Sequence, residues 1–335
     1  MKPAKRLRQG ALILALLAIT GCGRPLAASS LLLGGDVMLY RAGGPIFEQG
    51  SNAFSPWGDL LTAKRMEPVD VFAVNLESPF GLAGVSDRAE LTEMNLCADD
   101  SAAGLLQQAG VDLATNANNH AADCLSTDSG HTSTILQQAG IQSQGENSAV
   151  LFLKAGDQNI AVVSVNDYEG KYDLETLTDE LTAARSKSDL VLVSVHWGGE
   201  YQAGPTPHQM DLAQKLVDAG ADVIWGHHPH VLQRMEWLRS SADWHAGLVM
   251  YSMGNLLSDQ WMLPDALRTA LVRIEFRNHR ITELMVIPME MDAETKMLIL
   301  VEDADGVDWV KQRMGLDGLS TMRVKTGIFE LEKTN

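Results

Sequence analysis

Five short polar motifs carry most of the residues that could do chemistry in this chain, and each follows an apolar run typical of a strand. They are Gly35-Asp36, Asn75-Leu76-Glu77, Asn118-Asn119-His120, His196-Trp197-Gly198 and Gly226-His227-His228-Pro229-His230. Carboxylates, amides and imidazoles are the side chains that hold hard or borderline divalent ions. Because the carboxyl ends of parallel strands meet at one edge of an α/β sheet, the motifs predict a metal site in one crevice.

The first two motifs are each open to a plainer interpretation. Asp36 could simply cap the segment that follows it, and Asn75 with Glu77 could be a solvated strand end. On an extended segment, however, Asn75 and Glu77 point to the same side. A carboxylate at Glu77 could then bridge two metal ions.

The third motif combines two kinds of chemistry. The asparagine amide oxygens are neutral metal ligands, whereas His120 could deliver a proton without binding the metal itself. Asp123 lies about one helical turn beyond His120 and could orient its ring. The alternative is an asparagine-rich turn with Asp123 as a cap.

The histidine motifs are the sharpest local signal. His196 ends the apolar run 191–195, and His227, His228 and His230 are three histidines in four positions. In an extended His-Pro-His segment the outer two rings face one side, and the proline stiffens their spacing. A purely structural role for these histidines is the alternative.

The elements that must position these motifs alternate between helix and strand. Glycine is the favoured left-handed residue just past a helix end, and Gly110, Gly140 and Gly220 each separate a helical pattern from a strand. This alternation predicts an α/β fold with a largely parallel sheet covered on both faces. Beyond residue 267 the pattern changes to strands with little helix between them, which predicts a β-rich C-terminal portion on the same core.

The length and the charge of the chain limit its partners. Residues 31–330 are predicted to form one large domain, and the formal net charge is −17. Such a charge argues against nucleic acid held by a general basic surface. An anionic substrate would need a local cation, which a bound metal would supply.

The N-terminal sequence predicts an export signal. Basic residues precede the apolar stretch 11–19, which is about ten residues where a spanning helix needs about twenty. Ile19-Thr20-Gly21-Cys22 resembles the lipobox of bacterial lipoproteins, which implies a signal peptide over 1–22, lipid on Cys22 and a tether over 23–30. The alternative is a secretory signal cleaved near Ala27-Ala28. Either interpretation predicts an extracytoplasmic domain.

Two further cysteines, Cys97 and Cys124, are an even pair in an exported protein. In an oxidising compartment such a pair is more often bridged than free. Two buried thiols are the alternative, because the sequence does not fix their distance. A thiolate metal site would lack a second cysteine at C-x-x-C spacing.

Taken together, the motifs resemble the CapA family of poly-γ-glutamate capsule biosynthesis proteins, whose fold is similar to that of calcineurin-like metallophosphoesterases. The resemblance spans about residues 30 to 260 and rests on Gly35-Asp36-Val37-Met38, Asn75-Leu76-Glu77, Ala117-Asn118-Asn119-His120-Ala121-Ala122-Asp123, His196-Trp197-Gly198-Gly199-Glu200-Tyr201, Gly226-His227-His228-Pro229-His230-Val231 and Tyr251-Ser252-Met253-Gly254-Asn255. It implies a membrane-tethered, extracytoplasmic protein with a four-layer αββα sandwich.

The resemblance also implies roles for single residues. One or two divalent ions of the Mn, Zn or Fe type would lie between the motifs, with Glu77 as the bridge and His120 as the proton donor. Asp36 and His230 would hold the first ion, and the second would be held by Asn119, His196 and His228.

The chain departs from the superfamily pattern at two positions. The superfamily usually has histidine two residues after its first aspartate, where this chain has Met38, and its bridging acid is aspartate rather than Glu77. The first position therefore looks under-ligated, and one tight and one weak ion are expected.

Two functions follow from the resemblance, and the residues leave both open. One is metal-assisted hydrolysis of a phosphoester or of an amide in a γ-linked glutamate polymer, which Asn119, His120 and Asp123 favour. The other is a non-catalytic subunit that grips an anionic polymer and works with capsule synthase subunits in its assembly or export, which Met38 favours.

Overall fold

The computed structural model describes residues 28–47, 56–60, 68–82, 91–124, 130–170, 172–241, 244–316, 321–325 and 328–331. The predicted signal peptide, Cys22 and residues 23–27 of the tether lie outside this part of the chain. Within it, no helix is both long and apolar enough to cross a membrane.

The described strands alternate with helices over the first two thirds of the chain. In chain order the strands are β1 (Ser29–Val37), β2 (Tyr40–Arg41), β3 (Gly44–Pro45), β4 (Val71–Leu76), β5 (Leu113–Thr115), β6 (Gln142–Gln144), β7 (Leu151–Ala155), β8 (Gln158–Asn166), β9 (Leu190–His196), β10 (Val223–His227), β11 (Met235–Arg239), β12 (Ala246–Met250), β13 (Asn255–Leu257), β14 (Arg268–Arg277), β15 (Arg280–Met291), β16 (Leu298–Leu300), β17 (Thr321–Lys325) and β18 (Ile328–Leu331). The helices are α1 (Ala103–Ala109), α2 (His131–Gln138), α3 (Leu174–Arg185), α4 (Pro207–Asp218), α5 (Pro264–Leu267) and α6 (Ala304–Arg313).

These strands form two mixed sheets and a small hairpin. The larger sheet has the order β17-β18-β15-β14-β1-β4-β5-β6, with β13 also paired to β1 and β16 to β15. The smaller sheet has the order β11-β12-β10-β9-β8-β7. Strands β1, β4, β5 and β6 run parallel in the first sheet, as β8, β9, β10 and β12 do in the second.

Side-chain alternation along the strands explains the layers. In β1, Leu31 and Leu33 face the apolar layer between the sheets, where they join Leu190 and Leu192 of β9. Leu32 faces the other way, into the cluster that α1 and α2 cover. Helices α3 and α4 cover the outer face of the smaller sheet. The predicted four-layer αββα sandwich is therefore confirmed.

The C-terminal strands extend the larger sheet. Strand β14 pairs antiparallel with β1 and with β15, which confirms the predicted β-rich C-terminal portion. At the other end, β1 begins at Ser29, so Ser29 and Ser30 belong to the strand and not to the predicted tether. Their backbones pair with β14, and both the amide and the hydroxyl of Ser30 donate to Asp70.

The three predicted helix-to-strand joints lie where the glycines indicate. Gly110, Gly140 and Gly220 have φ values of 66°, 79° and 107°, all in the left-handed region. The caps direct β5, β6 and β10 back across the sheets, so that their carboxyl ends reach the same edge as that of β1.

Candidate metal centre

Two rows of side chains face each other at the carboxyl edge of the sheets. In the larger sheet Asp36 on β1 is the register partner of Asn75 on β4. In the smaller sheet His227, His196 and Asn166 are register partners across β10, β9 and β8. Because register partners lie side by side, residues far apart in sequence meet in one layer between the sheets.

Two glycines allow the strands to approach at this edge. A Cβ atom at Gly35 would lie 2.0 Å from the carbonyl oxygen of Gly254, and one at Gly226 would lie 2.2 Å from that of Tyr251. No side chain fits at either position without moving backbone. The glycines that precede Asp36 and His227 in their motifs are therefore required for close packing.

The first cluster surrounds Asp36, which is fully buried. Its Oδ1 lies 2.9 Å from His227 Nδ1 and its Oδ2 lies 3.2 Å from His230 Nδ1. Asn75 donates to Asp36 Oδ1 at 2.9 Å, and more weakly to Glu77 Oε1 at 3.4 Å. One ligand atom from each of Asp36, Glu77 and His230 fits within a 4.8 Å group, which is close enough to hold one ion.

The second cluster is centred on His196. Its Nε2 lies 2.7 Å from Asn119 Oδ1 and 3.1 Å from His228 Nδ1. Glu77 lies between the two clusters, because its Oε1 is 3.9 Å from His196 Nε2 and 4.0 Å from His230 Nδ1. The structure thus brings all six predicted ligands together, with Glu77 where a bridge would be; their ligand roles stay a prediction.

Burial and mutual charge set the protonation of the first cluster. Burial alone would raise the pKa of Asp36, yet hydrogen bonds and charge from His227 and His230 hold that pKa well below its usual value. Burial raises the pKa of Glu77 to about 7, against the opposing charge of His230. Burial would lower the pKa of His230, but the charge of Glu77 and the interaction with Asp36 raise it to about 9. The first cluster therefore holds one positive charge, on the His230 ring, and an ion bound there would take the place of that proton.

The second cluster favours neutral imidazoles. Burial, reinforced by the neighbouring His228, holds the pKa of His196 well below its usual value. Burial and the charge of His230 lower the pKa of His228 to about 4. A neutral imidazole is the form that binds a metal.

Buried polar atoms without partners are consistent with a divalent ion between these residues. Glu77 Oε2, His196 Nδ1 and His228 Nε2 are buried and make no hydrogen bond within the described residues. A buried polar atom without a partner is costly, so such atoms cluster where a ligand completes them. The mixture of carboxylate, amide and imidazole suits ions of the Mn, Fe or Zn type.

The predicted proton donor lies next to this centre on a braced loop. His120 Nδ1 is 2.9 Å from Asp123 Oδ2, and the same oxygen accepts from the Leu96 amide at 2.7 Å. A disulfide joins Cys97 to Cys124, with their Cα atoms 5.0 Å apart. The segment beside Leu96 is thus tied covalently to the loop that carries Asp123. Burial would lower the pKa of His120, but the hydrogen bond to Asp123 and the charge of Glu77 raise it.

The sequence interpretation of the His-Pro-His segment was wrong in one respect. The segment is not extended, because His228 and His230 have φ values of 93° and 58°. Their ring centroids still lie 5.8 Å apart. His227, which was not predicted as a site residue, contacts Asp36 directly, and Asn255, also not predicted, lies 3.0 Å from His230 Nδ1. A signal for Asn255 was present in the quoted Tyr251–Asn255 motif, but nothing in it indicated a role.

The fold and these donors define a four-layer α/β protein with a candidate divalent-metal centre at the carboxyl edge of its two sheets. The chain belongs to the family described as bacterial capsule synthesis protein PGA_cap, whose model matches residues 30–260. The predicted CapA-family membership is confirmed.

Named relatives agree with this assignment, and a solved structure has a similar fold. The chain is 28% identical over 222 residues to capsule biosynthesis protein CapA of Bacillus anthracis. The matched region covers 59% of this chain and 52% of that protein. It is 26% identical over 289 residues to PGA biosynthesis protein CapA of Bacillus subtilis (strain 168), covering 78% and 71%. It thus spans about half the length of the first relative. A hypothetical protein from Thermus thermophilus has a similar fold, with a TM-score of 0.50 and 18% identity over 78% of this chain and 99% of that one.

Proposed function

We propose that this protein is a lipid-anchored, extracytoplasmic protein that takes part in the biosynthesis of poly-γ-glutamate or a related capsule polymer, and that it acts as a metal-dependent hydrolase. Family membership and the two CapA relatives support the role in capsule biosynthesis. The lipobox-like sequence before Cys22 supports the anchor. The disulfide between Cys97 and Cys124 fits an oxidising compartment.

The observation that carries the enzymatic part is the braced His120 beside two donor clusters that share Glu77. A site that only gripped a polymer would have no need of a histidine oriented by a carboxylate. With Nδ1 held by Asp123, the remaining ring nitrogen of His120 is the atom that can give a proton to a leaving group. The raised pKa of His120 keeps that proton available.

The remaining residues would hold the ions and orient the substrate. Asp36 and His230 would hold the first ion, and Asn119, His196 and His228 the second, with Glu77 between them. Divalent ions bound there supply positive charge that polarises the bond to be cleaved and makes a water molecule more acidic. An anionic substrate that approaches a chain of net charge −17 would need such a local positive charge. The scissile bond would be a phosphoester or a γ-glutamyl amide.

Metal content is the first test of this proposal. The purified protein should carry one to two transition-metal ions per chain, and Glu77→Ala or His228→Ala should lose them without unfolding, because both residues directly follow the end of a strand and contribute little to the apolar core. His131→Ala is the matched control, since His131 lies on α2, pairs with Asp100 and is outside both clusters. Metal content unchanged in both site variants would refute the ligand assignment.

Activity is the second test. Phosphoesters and γ-glutamyl polymers would be screened with wild-type protein and with His120→Asn. The variant should keep its metal and lose about 100- to 10,000-fold in rate, which is the usual contribution of general acid catalysis. A metal-loaded wild-type protein that cleaves neither class but binds the polymer would favour the alternative function, a metal-bearing binding or export subunit. The observation that favours this alternative is Met38, which takes the place of a ligand.

A further inference from the structure

The first cluster has an asparagine on each side of Asp36. Asn75 on β4 and Asn255 on β13 are both register partners of Asp36, because β1 lies between these two strands and runs parallel to both. Both asparagines are buried. Their amide groups, however, are oriented in opposite ways.

Asn75 turns its nitrogen towards the cluster. Its Nδ2 donates to Asp36 Oδ1 at 2.9 Å, and its Oδ1 accepts from Asn118 Nδ2 at 3.2 Å. The oxygen of Asn75 is therefore engaged with Asn118. Asn75 is a positioning residue that holds the Asp36 carboxylate in place.

Asn255 turns its oxygen towards the cluster. Its Nδ2 donates to the carbonyl of Ala266 at 3.3 Å and to Gln260 Oε1 at 2.7 Å. A backbone carbonyl can only accept a hydrogen bond, so the contact with Ala266 fixes which end of the amide is nitrogen. The Oδ1 of Asn255 then lies 3.0 Å from His230 Nδ1.

The ring nitrogen of His230 is surrounded by oxygen atoms. Besides Asn255 Oδ1, the nearest are Asp36 Oδ2 at 3.2 Å and Glu77 Oε1 at 4.0 Å. Carboxylate and amide oxygens are the donors that hard divalent cations prefer. Asn255 thus adds a neutral oxygen to the group of atoms that can hold the first ion.

The residue that would complete this position in the wider superfamily is absent here. Met38 occupies it, and its sulfur lies 3.5 Å from Arg41 Nη2. A thioether is a soft ligand that suits Cu(I) better than Mn²⁺ or Mg²⁺. Asn255, in contrast, has an amide oxygen that faces the cluster. The hydrogen bonds from its Nδ2 to Ala266 and Gln260 hold the oxygen in that direction.

We propose that Asn255 Oδ1 is a ligand of the first ion and replaces the donor that Met38 lacks. This inference rests on the proposed metal centre. The first position then has two carboxylates, one amide and one imidazole, which favours Mn²⁺. The second position has two imidazoles, one amide and the Glu77 carboxylate that it shares with the first position. This set favours Zn²⁺ or Fe²⁺.

The test is Mn²⁺ binding to the full-length protein in detergent, stripped of metal and titrated while electron paramagnetic resonance follows free Mn²⁺. Asn255→Ala should weaken Mn²⁺ binding at one position by at least about tenfold. Loss of a residue that only orients a metal ligand already lowers metal affinity by about that factor, and loss of a direct ligand should cost no less. Asn255→Asp keeps an oxygen in place and should bind Mn²⁺ at least as tightly as wild type. Asn159→Ala, an asparagine near the amino end of β8 and so away from the carboxyl edge that carries the site, is the matched control and should bind like wild type.

Two results would overturn the proposal. One is Mn²⁺ affinity and stoichiometry in Asn255→Ala equal to wild type. The other is an equal loss in Asn255→Ala and Asn255→Asp, since that would make the amide nitrogen, and hence positioning, the property that matters. Asn255→Ser, whose side chain is too short to reach, replaces the alanine variant if that one does not fold. Glu77→Ala distinguishes failure of this inference from failure of the proposed metal centre. If Glu77→Ala binds Mn²⁺ like wild type, the metal centre itself is refuted.

Discussion

Trp225→Phe should destabilise the protein substantially, because Trp225 joins the two sheets directly behind the site. This fully buried residue of β10 donates from Nε1 to the carbonyl of Gly34 on β1 at 2.8 Å. Gly34 lies where a bulge interrupts the register between β1 and β4. Phenylalanine keeps most of the ring but removes the donor, so the inter-sheet hydrogen bond is lost.

The expected loss has two parts. A buried carbonyl left without its donor costs about 1–3 kcal/mol. The smaller ring leaves roughly 40 Å³ unfilled, which at about 24 cal/mol per Å³ costs about 1 kcal/mol. The free energy of unfolding should therefore fall by about 2–4 kcal/mol, and the urea midpoint by roughly 1 M for an m value of about 3 kcal/mol/M.

The measurement is urea unfolding of the metal-stripped protein, followed by circular dichroism. Trp237→Phe is the matched control, because Trp237 lies in the same sheet on β11 and is 43% exposed. Its unfolding free energy should change by no more than about 0.5 kcal/mol. Equal midpoints for the two variants would show that the bond between Trp225 and Gly34 does not hold the sheets together.

Three further predictions concern the loop and the N-terminus. Replacing Cys97 and Cys124 together by serine should lower the free energy of unfolding by about 3.5 kcal/mol for a bridge of 27 residues; a melting temperature that is the same with and without reductant in the wild type would contradict this. Asp123→Asn should reduce hydrolytic rate while metal content stays constant, because Asp123 contacts His120 and no predicted ligand; loss of metal would assign Asp123 to the metal centre instead. Cys22→Ser should move the protein from the membrane fraction to the soluble fraction, and a protein that stays with the membrane without lipid on Cys22 would refute the anchor.

Local sequence patterns predicted the elements that depend on local physics. Strand ends, glycine caps and the grouping of the polar motifs follow from short-range periodicity and from the left-handed preference of glycine. The caps at Gly110 and Gly220 are examples, since each needs only the helix before it. The division of the strands between two sheets is not a local property. The alternation predicted one largely parallel sheet, and the two-sheet arrangement followed from the family resemblance alone.

The site residues that sequence reasoning missed depend on contacts across long separations. Asn255 reaches the centre because β13 pairs with β1, more than two hundred positions earlier in the chain, and no periodicity signals that pairing. His227 was passed over because the extended geometry expected for His228-Pro229-His230, like the family resemblance, pointed to His228 and His230. The left-handed backbone at His228 and His230 breaks that premise.

The paired rows of the site have a consequence for how members of this family can differ in length. Successive side chains of a strand point to opposite faces, so inserting or deleting one residue within β1, β9 or β10 would carry Asp36, His196 or His227 out of the inter-sheet layer. Loops beyond the strand ends carry no such constraint. Length variation should therefore collect after the motifs, and the number of residues between each buried strand core and its polar end should stay fixed even where the residues themselves change.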